Sequence, residues 1–138
     1  MHVFTYGSLM YEAVWSQVVR GHYRQCLAGL AGYRRWCVRG EHYPGLWPAM
    51  ATDKVSGVLY FDLEAGDLAR LDAFEGAYYR RQRLPCEVAG EVVEAEVYLF
   101  RSRYRQLLTT REWQAETFER QGLQPFIQRY RGFMPPQK

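Results

Sequence analysis

The residues of this 138-residue chain best suited to chemistry are few. Tyr6-Gly7-Ser8-Leu9 follows the apolar run Val3-Phe4-Thr5, so a strand ending there presents several backbone N–H groups at a turn, an arrangement that receives anions. Gly7 lets a ligand carboxylate approach the main chain, and Ser8 supplies a hydroxyl or caps the helix that follows. Taken alone, the tetrapeptide also reads as a plain strand-turn-helix connection that binds nothing. The second candidate is Glu75. Leu68, Leu71 and Phe74 recur at helical spacing before it, and Gly76 stands where a helix C-terminus is expected. Glu75 thus falls at a helix end, where the macrodipole disfavours negative charge, with Phe74 and Tyr78 alongside to exclude water. Both effects move a carboxyl pKa toward neutrality, where it can give and take protons. The competing reading pairs Glu75 with Arg80 or Arg81 on the surface.

The elements that must position these groups read as a mixed α+β domain. Tyr11, Val14, Trp15 and Val18 predict an amphipathic helix over about residues 10–19, ended by Gly21. Short β-rich stretches at 24–27, 33–38 and 55–62 alternate with glycine and proline and suggest a curled antiparallel sheet or barrel. Residues 79–88 and 91–100 read as a hairpin around Ala89-Gly90, with Val93, Ala95, Val97 and Leu99 as its core face and Glu94, Glu96 and Tyr98 on the other. Thr109-Thr110-Arg111-Glu112 reads as a capping box for a helix over about 110–121, and Gln124-Pro125 starts a second one carrying Phe126, Ile127 and Tyr130.

These motifs occur in an order, and at separations, that carry more than any of them singly. Tyr6-Gly7-Ser8-Leu9, Gly32-Tyr33-Arg34-Arg35, Val38-Arg39-Gly40, Tyr43-Pro44, Pro48-Ala49, Val55-Ser56-Gly57, the segment Leu71-Asp72-Ala73-Phe74-Glu75-Gly76-Ala77-Tyr78-Tyr79-Arg80-Arg81 and Trp113-Gln114-Ala115-Glu116-Thr117-Phe118 together resemble the gamma-glutamyl cyclotransferase-like superfamily, in its AIG2-like (gamma-glutamylamine cyclotransferase-like) branch. The resemblance implies a small curled mixed or antiparallel β-barrel flanked by a few helices. It also implies an enzyme in which Glu75 is the general acid/base and Tyr6, Gly7, Ser8 and Leu9 hold the glutamyl group. The implied reaction is intramolecular. The α-amine of a γ-glutamyl amine or peptide attacks its own γ-carbonyl, closing 5-oxoproline and expelling an amine. Tyr79 and Tyr98 are second-rank candidates, each either pointing a hydroxyl into the pocket or satisfying a buried backbone group. Trp47 and Pro48 are assigned to the far side of the pocket. The alternative is a non-catalytic metabolite-binding or regulatory protein on the same scaffold.

Composition narrows the field further. A chain of this length buries roughly two thirds of its unfolded surface as one domain, here 1–138 with residues 134–138 as a loose tail. A net charge of +3 without a long run of like charges argues against nucleic acid as a partner. The arginines interleaved with Tyr23, Tyr33, Trp36 and Tyr104 are the one feature on the other side. Arg34, Arg35, Arg39, Arg80, Arg81, Arg83, Arg101, Arg103 and Arg105 read mostly as solvated strand faces, with one or two available to substrate carboxylates. Cys26, Cys37 and Cys86 make an odd set without a Cys-x-x-Cys pair, and His2, His22 and His42 are isolated. The expectation is reduced thiols, no metal and no cofactor. No apolar run approaches the roughly 18 to 20 residues that span a bilayer, so a cytoplasmic protein without membrane contact is expected. Phe126, Tyr130 and Phe133 pack on their own sheet or on another chain, and a monomer or weak homodimer follows.

Overall fold

A computed structural model of the chain describes residues 1–130; the expected tail at 134–138, and Phe133, lie outside them. The first strand, β1 (Val3–Thr5), is buried along its whole length, as an uninterrupted apolar run requires when sheet lies on both sides. It pairs antiparallel with β5 (Lys54–Tyr60) and parallel with β7 (Glu91–Phe100). With β2 (Gln25–Ala31) and β6 (Tyr79–Val88) these strands close a barrel in the order β1-β5-β2-β6-β7. A smaller sheet, β4-β3-β8, stands beside it, formed by β3 (Tyr33–Val38), β4 (Pro44–Pro48) and β8 (Leu108–Glu112). Four helices flank the strands: α1 (Glu12–Val18), α2 (Ala65–Glu75), the short α3 (Ala115–Thr117) and α4 (Leu123–Tyr130). The mixed α+β barrel with a few helices is therefore present.

Its core has two parts. Phe4, Leu30, Leu46, Leu59 and Val97 fill the barrel. Trp15, Tyr60, Leu71, Phe74 and Phe118 seal the helices onto its outer face, where Trp15 stacks on Tyr60 with ring centroids 3.6 Å apart. Fully burying side chains such as Phe4 or Leu71 stabilises by about 1.5–3 kcal/mol each. The hairpin has the expected bounds, and its register runs unbroken from Tyr79↔Phe100 to Val88↔Glu91.

The structure departs from the sequence reading at two places. Thr109–Glu112 is not a helix cap: residues 108–112 form the edge strand β8, Trp36 lies opposite Glu112, and Thr109 Oγ1 donates to the Cys37 carbonyl at 2.9 Å. Pairing with β3 overrides a local capping signal made of β-branched threonines that suit a strand equally well. The β7 faces are not one apolar and one solvated: Glu96, Tyr98 and Phe100 are buried beside Ala95, Val97 and Leu99, because other elements cover the outside of this strand. Of the two alternatives for Phe126, packing within the chain holds: the residue is 3% exposed and packs against Phe74 and Phe118. No helix among the described residues is long and apolar enough to cross a membrane.

The first turn of α2 is anchored by a buried carboxylate. Asp67 accepts hydrogen bonds from the N–H groups of Arg20 and Gly21, both at 2.9 Å, from the Tyr23 hydroxyl at 2.6 Å and from Arg70 at 2.7 Å. Burial alone would raise its pKa, yet these donors outweigh it and hold the group below the ordinary carboxylate range. Its stabilising contribution is thus present above the unfolded-state pKa and is lost as pH falls through the lower folded-state value. Replacing Asp67 by Ala leaves four donors short of an acceptor and should lower stability by roughly 2–4 kcal/mol at pH 7. Urea denaturation measures this, and the difference between the two proteins should shrink in acid.

Candidate active site

The β1 strand ends at Thr5, and the chain turns through Tyr6 and Gly7 into a single 3₁₀ turn, Ser8–Met10. The turn is closed by Met10 N–H donating to the Gly7 carbonyl at 3.0 Å. The N–H groups of Gly7, Ser8 and Leu9 meet no acceptor among the described residues. Gly7 is needed here for space: a Cβ at this position would sit 2.8 Å from Cδ of Pro44, the first residue of β4. Arg35 holds the loop from behind. Its guanidinium donates to the Tyr6 carbonyl at 2.9 Å and lies 5.0 Å over the Trp113 ring.

Opposite the loop, α2 terminates at Glu75 because Gly76 adopts φ +74°, a left-handed conformation that stops the helix. Loop and helix end meet at a cavity of about 60 Å³, whose wall includes Tyr6, Gly7, Ser8, Leu9, Glu75, Tyr79 and Tyr98. Every first-rank candidate from the sequence is thus brought to one place. Tyr79 and Tyr98 reach the wall with their hydroxyls engaged, Tyr79 donating to the Pro44 carbonyl at 2.6 Å and Tyr98 to Asp72 Oδ1 at 2.7 Å. Tyr6 donates to the Tyr98 carbonyl at 2.6 Å. These bonds fix three ring orientations around one carboxyl group.

Trp47 and Pro48 do not line the cavity. They occupy the last two positions of β4, Trp47 half-buried and Pro48 exposed. Tyr43 and Pro44, at the other end of the same strand, supply the wall instead. The register Arg34↔Trp47 and Tyr33↔Pro48 carries the far end of β4 away from the loop. Phe4, Thr5, Phe74 and Phe126 complete the wall. For Pro44 the available signal was its place in the Tyr43-Pro44 motif; for Phe126, contributed by the last helix, no local signal exists. None of the arginines singled out in the sequence reaches the wall.

The electrostatics centre on Glu75. The residue as a whole is of intermediate exposure, but its carboxyl is withdrawn from water. Desolvation first, and the negative Asp72 second, push its pKa up to about 8; the C-terminal end of α2 acts in the same direction. Neither Arg80 nor Arg81 pairs with it. Arg80 contacts Gln82, and Arg81 is held by Asp72 at 2.9 Å and by Glu96 at 2.6 Å. Tyr6 is held well above the usual tyrosine range, by burial first and by the neighbouring Glu75 second, so it remains a neutral donor. Among the described residues, no group of three or more His, Cys, Asp or Glu is placed to hold a metal ion.

A five-stranded mixed barrel, with a glycine loop and a helix-terminal glutamate lining one small cavity at the end of β1, defines the class of α+β fold. The family model for gamma-glutamyl cyclotransferase, AIG2-like, matches residues 3–115, and the chain belongs to that family. An AIG2-like protein D of Arabidopsis thaliana is 33% identical over 104 residues, covering 72% of this chain and 68% of its own. Among solved structures, a solution structure of an Arabidopsis thaliana protein superposes with a TM-score of 0.68 at 24% identity, covering 99% of this chain and 94% of its own. A structure described as a gamma-glutamyl cyclotransferase superposes with a TM-score of 0.65 at 15% identity, covering 99% and 89%. These two likenesses show the fold.

A carboxyl group whose folded-state pKa is raised binds more protons folded than unfolded between about pH 4.5 and 8. Stability therefore falls as pH rises through that window. Glu75→Gln removes the charge at nearly constant shape, so it should match the wild type near pH 4 and exceed it by roughly 1–3 kcal/mol at pH 9. Denaturant titrations at the two pH values measure the difference. Gly7→Ala drives a methyl into Pro44 and should cost roughly 1–3 kcal/mol of stability while distorting the loop.

Proposed function

We propose that the protein is a gamma-glutamyl cyclotransferase acting on a γ-glutamyl amine or peptide, with Glu75 transferring both protons. The observation that carries this reading is a carboxyl group without a hydrogen-bond or ion-pair partner among the described residues, its pKa pushed up to about 8, lining the same cavity as the 7–9 loop. A carboxyl in this state is ionised often enough to accept a proton, yet acidic enough to return it.

The substrate brings nucleophile and electrophile in one molecule, so the site has to fold it and manage protons. The α-ammonium gives one proton to the Glu75 carboxylate. The freed amine nitrogen attacks the γ-carbonyl carbon, and the carbonyl electron pair moves onto oxygen. The N–H groups of Gly7, Ser8 and Leu9 are the available donors for that oxyanion or for the α-carboxylate. As the tetrahedral centre collapses, the bond to the leaving nitrogen breaks, protonated Glu75 donates to that nitrogen, and the attacking nitrogen loses its second proton, which the released amine carries away as its ammonium form. The products are 5-oxoproline and a free amine, and Glu75 ends as it began. Tyr6, Tyr79 and Tyr98, locked by their own hydrogen bonds, hold the glutamyl chain in a bent conformer. The chemistry as drawn calls on no metal or cofactor. A cytoplasmic location and a monomer or weak homodimer fit this reading.

The test is release of 5-oxoproline from a panel of γ-glutamyl amines, γ-glutamyl amino acids and glutathione. Wild-type activity should survive chelators, and Glu75→Gln should lose about 10³-fold or more in kcat/KM while staying folded by circular dichroism. Because the ionised carboxylate is the required form, kcat/KM should rise with pH through about 8. The bound ammonium stabilises that carboxylate, so the rising limb of kcat should lie at lower pH. Activity that persists in Glu75→Gln removes the assigned role. Binding without release from any substrate favours the metabolite-binding reading instead.

A further inference from the structure

None of the arginines singled out in the sequence lines the cavity, yet Arg35 touches its loop from behind. Arg35 lies within β3 and its backbone is held on both sides: it stands opposite Leu46 of β4, and its carbonyl accepts the Trp113 N–H at 3.0 Å. Its side chain is half-buried over the Trp113 ring, which is fixed in turn by its indole N–H donating to the His42 carbonyl at 2.8 Å. Burial lowers the pKa of Arg35, but an arginine keeps its charge throughout the working pH range. The carboxylate that acts on it most strongly, Glu112, pairs with Arg34 at 2.9 Å. Arg35 instead donates to two main-chain carbonyls, that of Tyr6 at 2.9 Å and that of Ser56 at 3.4 Å.

The first of these carbonyls belongs to the peptide unit that carries the Gly7 N–H. That peptide is trans, so the two groups point in opposite directions. The guanidinium holds the carbonyl, the N–H faces away from it, and Gly7 itself forms part of the cavity wall. A charged donor on the carbonyl draws electron density along the peptide toward oxygen and leaves the amide hydrogen more positive. Linked hydrogen bonds strengthen one another in this way. Because the partners of Arg35 are carbonyls rather than a carboxylate, its positive charge is not neutralised where it meets the loop.

We propose that Arg35 is a positioning residue that acts through the Tyr6–Gly7 peptide, fixing the loop and making the Gly7 N–H a stronger donor to a negatively charged oxygen of the ligand. This rests on the reading of the 7–9 loop as the anion-receiving side of the site. The place of the arginine outside the cavity is part of its use. A cation inside would pair with Glu75 and pull its pKa down, whereas the influences on Glu75 here are burial and Asp72. Arg35 works on the ligand through an amide and leaves the acid unpaired.

The test uses the full chain and 5-oxoproline as the probe, titrated by calorimetry at pH 6, where Glu75 is protonated. Arg35→Gln keeps an uncharged N–H donor, and Arg35→Lys keeps the charge. Affinity should fall at least about tenfold in Arg35→Gln and no more than about threefold in Arg35→Lys. In Arg35→Ala, added methylguanidinium should raise the affinity at least about threefold, and its neutral isostere N-methylurea should not. Urea denaturation checks that each variant is folded, and Arg35→Met replaces Arg35→Gln where it is not. Wild-type affinity in the neutral variant, equal losses in the neutral and lysine variants, equal rescue by the two additives, or no binding of 5-oxoproline by the wild type overturns the proposal. The cyclotransferase reading is judged separately, by release of 5-oxoproline from γ-glutamyl substrates. Binding with the stated pattern but no release keeps the role of Arg35 and removes the reaction; release at the wild-type kcat/KM in Arg35→Gln keeps the reaction and removes the role.

Discussion

The structure is organised around keeping one carboxyl group away from both water and cations. An ionised carboxylate in a partly apolar cavity is unfavourable unless it is neutralised or paired, and a small domain rich in arginine has many ways to pair it. Glu75 escapes pairing because its neighbours are already engaged. Tyr6 and Tyr79 spend their hydroxyls on the carbonyls of Tyr98 and Pro44, Tyr98 spends its own on Asp72, and Arg81 is taken by Asp72 and Glu96. Each of these bonds satisfies a local group and, in doing so, leaves the helix-terminal carboxyl unpaired among the described residues and able to change its protonation near neutral pH.

Such a group needs rigid surroundings, and the barrel supplies them. The strand that leads into the glycine loop is the shortest in the barrel and among its most deeply buried, held antiparallel on one side by β5 and parallel on the other by β7. The loop position follows from the end of β1, and the wall position of Tyr98 follows from β7, so the two sides of the cavity share one sheet. The helix bearing Glu75 is tied at its beginning by Asp67 and near its end by the Asp72–Tyr98 bond. Errors of an ångström in a proton-transfer geometry can cost about a hundredfold in rate, and a closed barrel with a helix pinned at two points restrains displacements of that size.

What was legible in the sequence divides along the same lines. The loop, the helix end and the hairpin are local features, each written in adjacent residues: a glycine after an apolar strand, a glycine after a periodic helix, two alternating runs about Ala89-Gly90. The misreadings all concern relations between distant segments. Thr109–Glu112 carries a capping pattern, but β3 offers it a partner and the strand wins. Trp47 and Pro48 belong to the strand that does reach the cavity, yet the register of β4 on β3 presents its opposite end, Pro44, with Tyr43 just before it. Phe126 lies half a chain or more from most residues it shares a wall with, and periodicity within α4 does not say against what its apolar face will rest.

The arrangement of charge on the outer side of α2 explains why the many arginines do not defeat the site. Asp72 stands three residues before Glu75, one helical turn away, where it raises the pKa of Glu75 by direct repulsion. By itself that effect would attract a cation, and Arg81, already in contact with Asp72, is a candidate. Arg81, however, is drawn down the β6–β7 ladder by Glu96, which is 6% exposed and therefore a strong, poorly screened partner. Asp72 closes on the same guanidinium from the other side. One cation is thus shared between two acids, with Arg83 adding a looser contact to Glu96 at 3.3 Å from a more exposed position. The carboxylate that perturbs Glu75 and the arginine that could neutralise it are consequently parts of one network. Asp72 both supplies repulsion and holds the guanidinium where it cannot pair with Glu75, so the abundance of positive charge on this face coexists with an unpaired acid a single helical turn away.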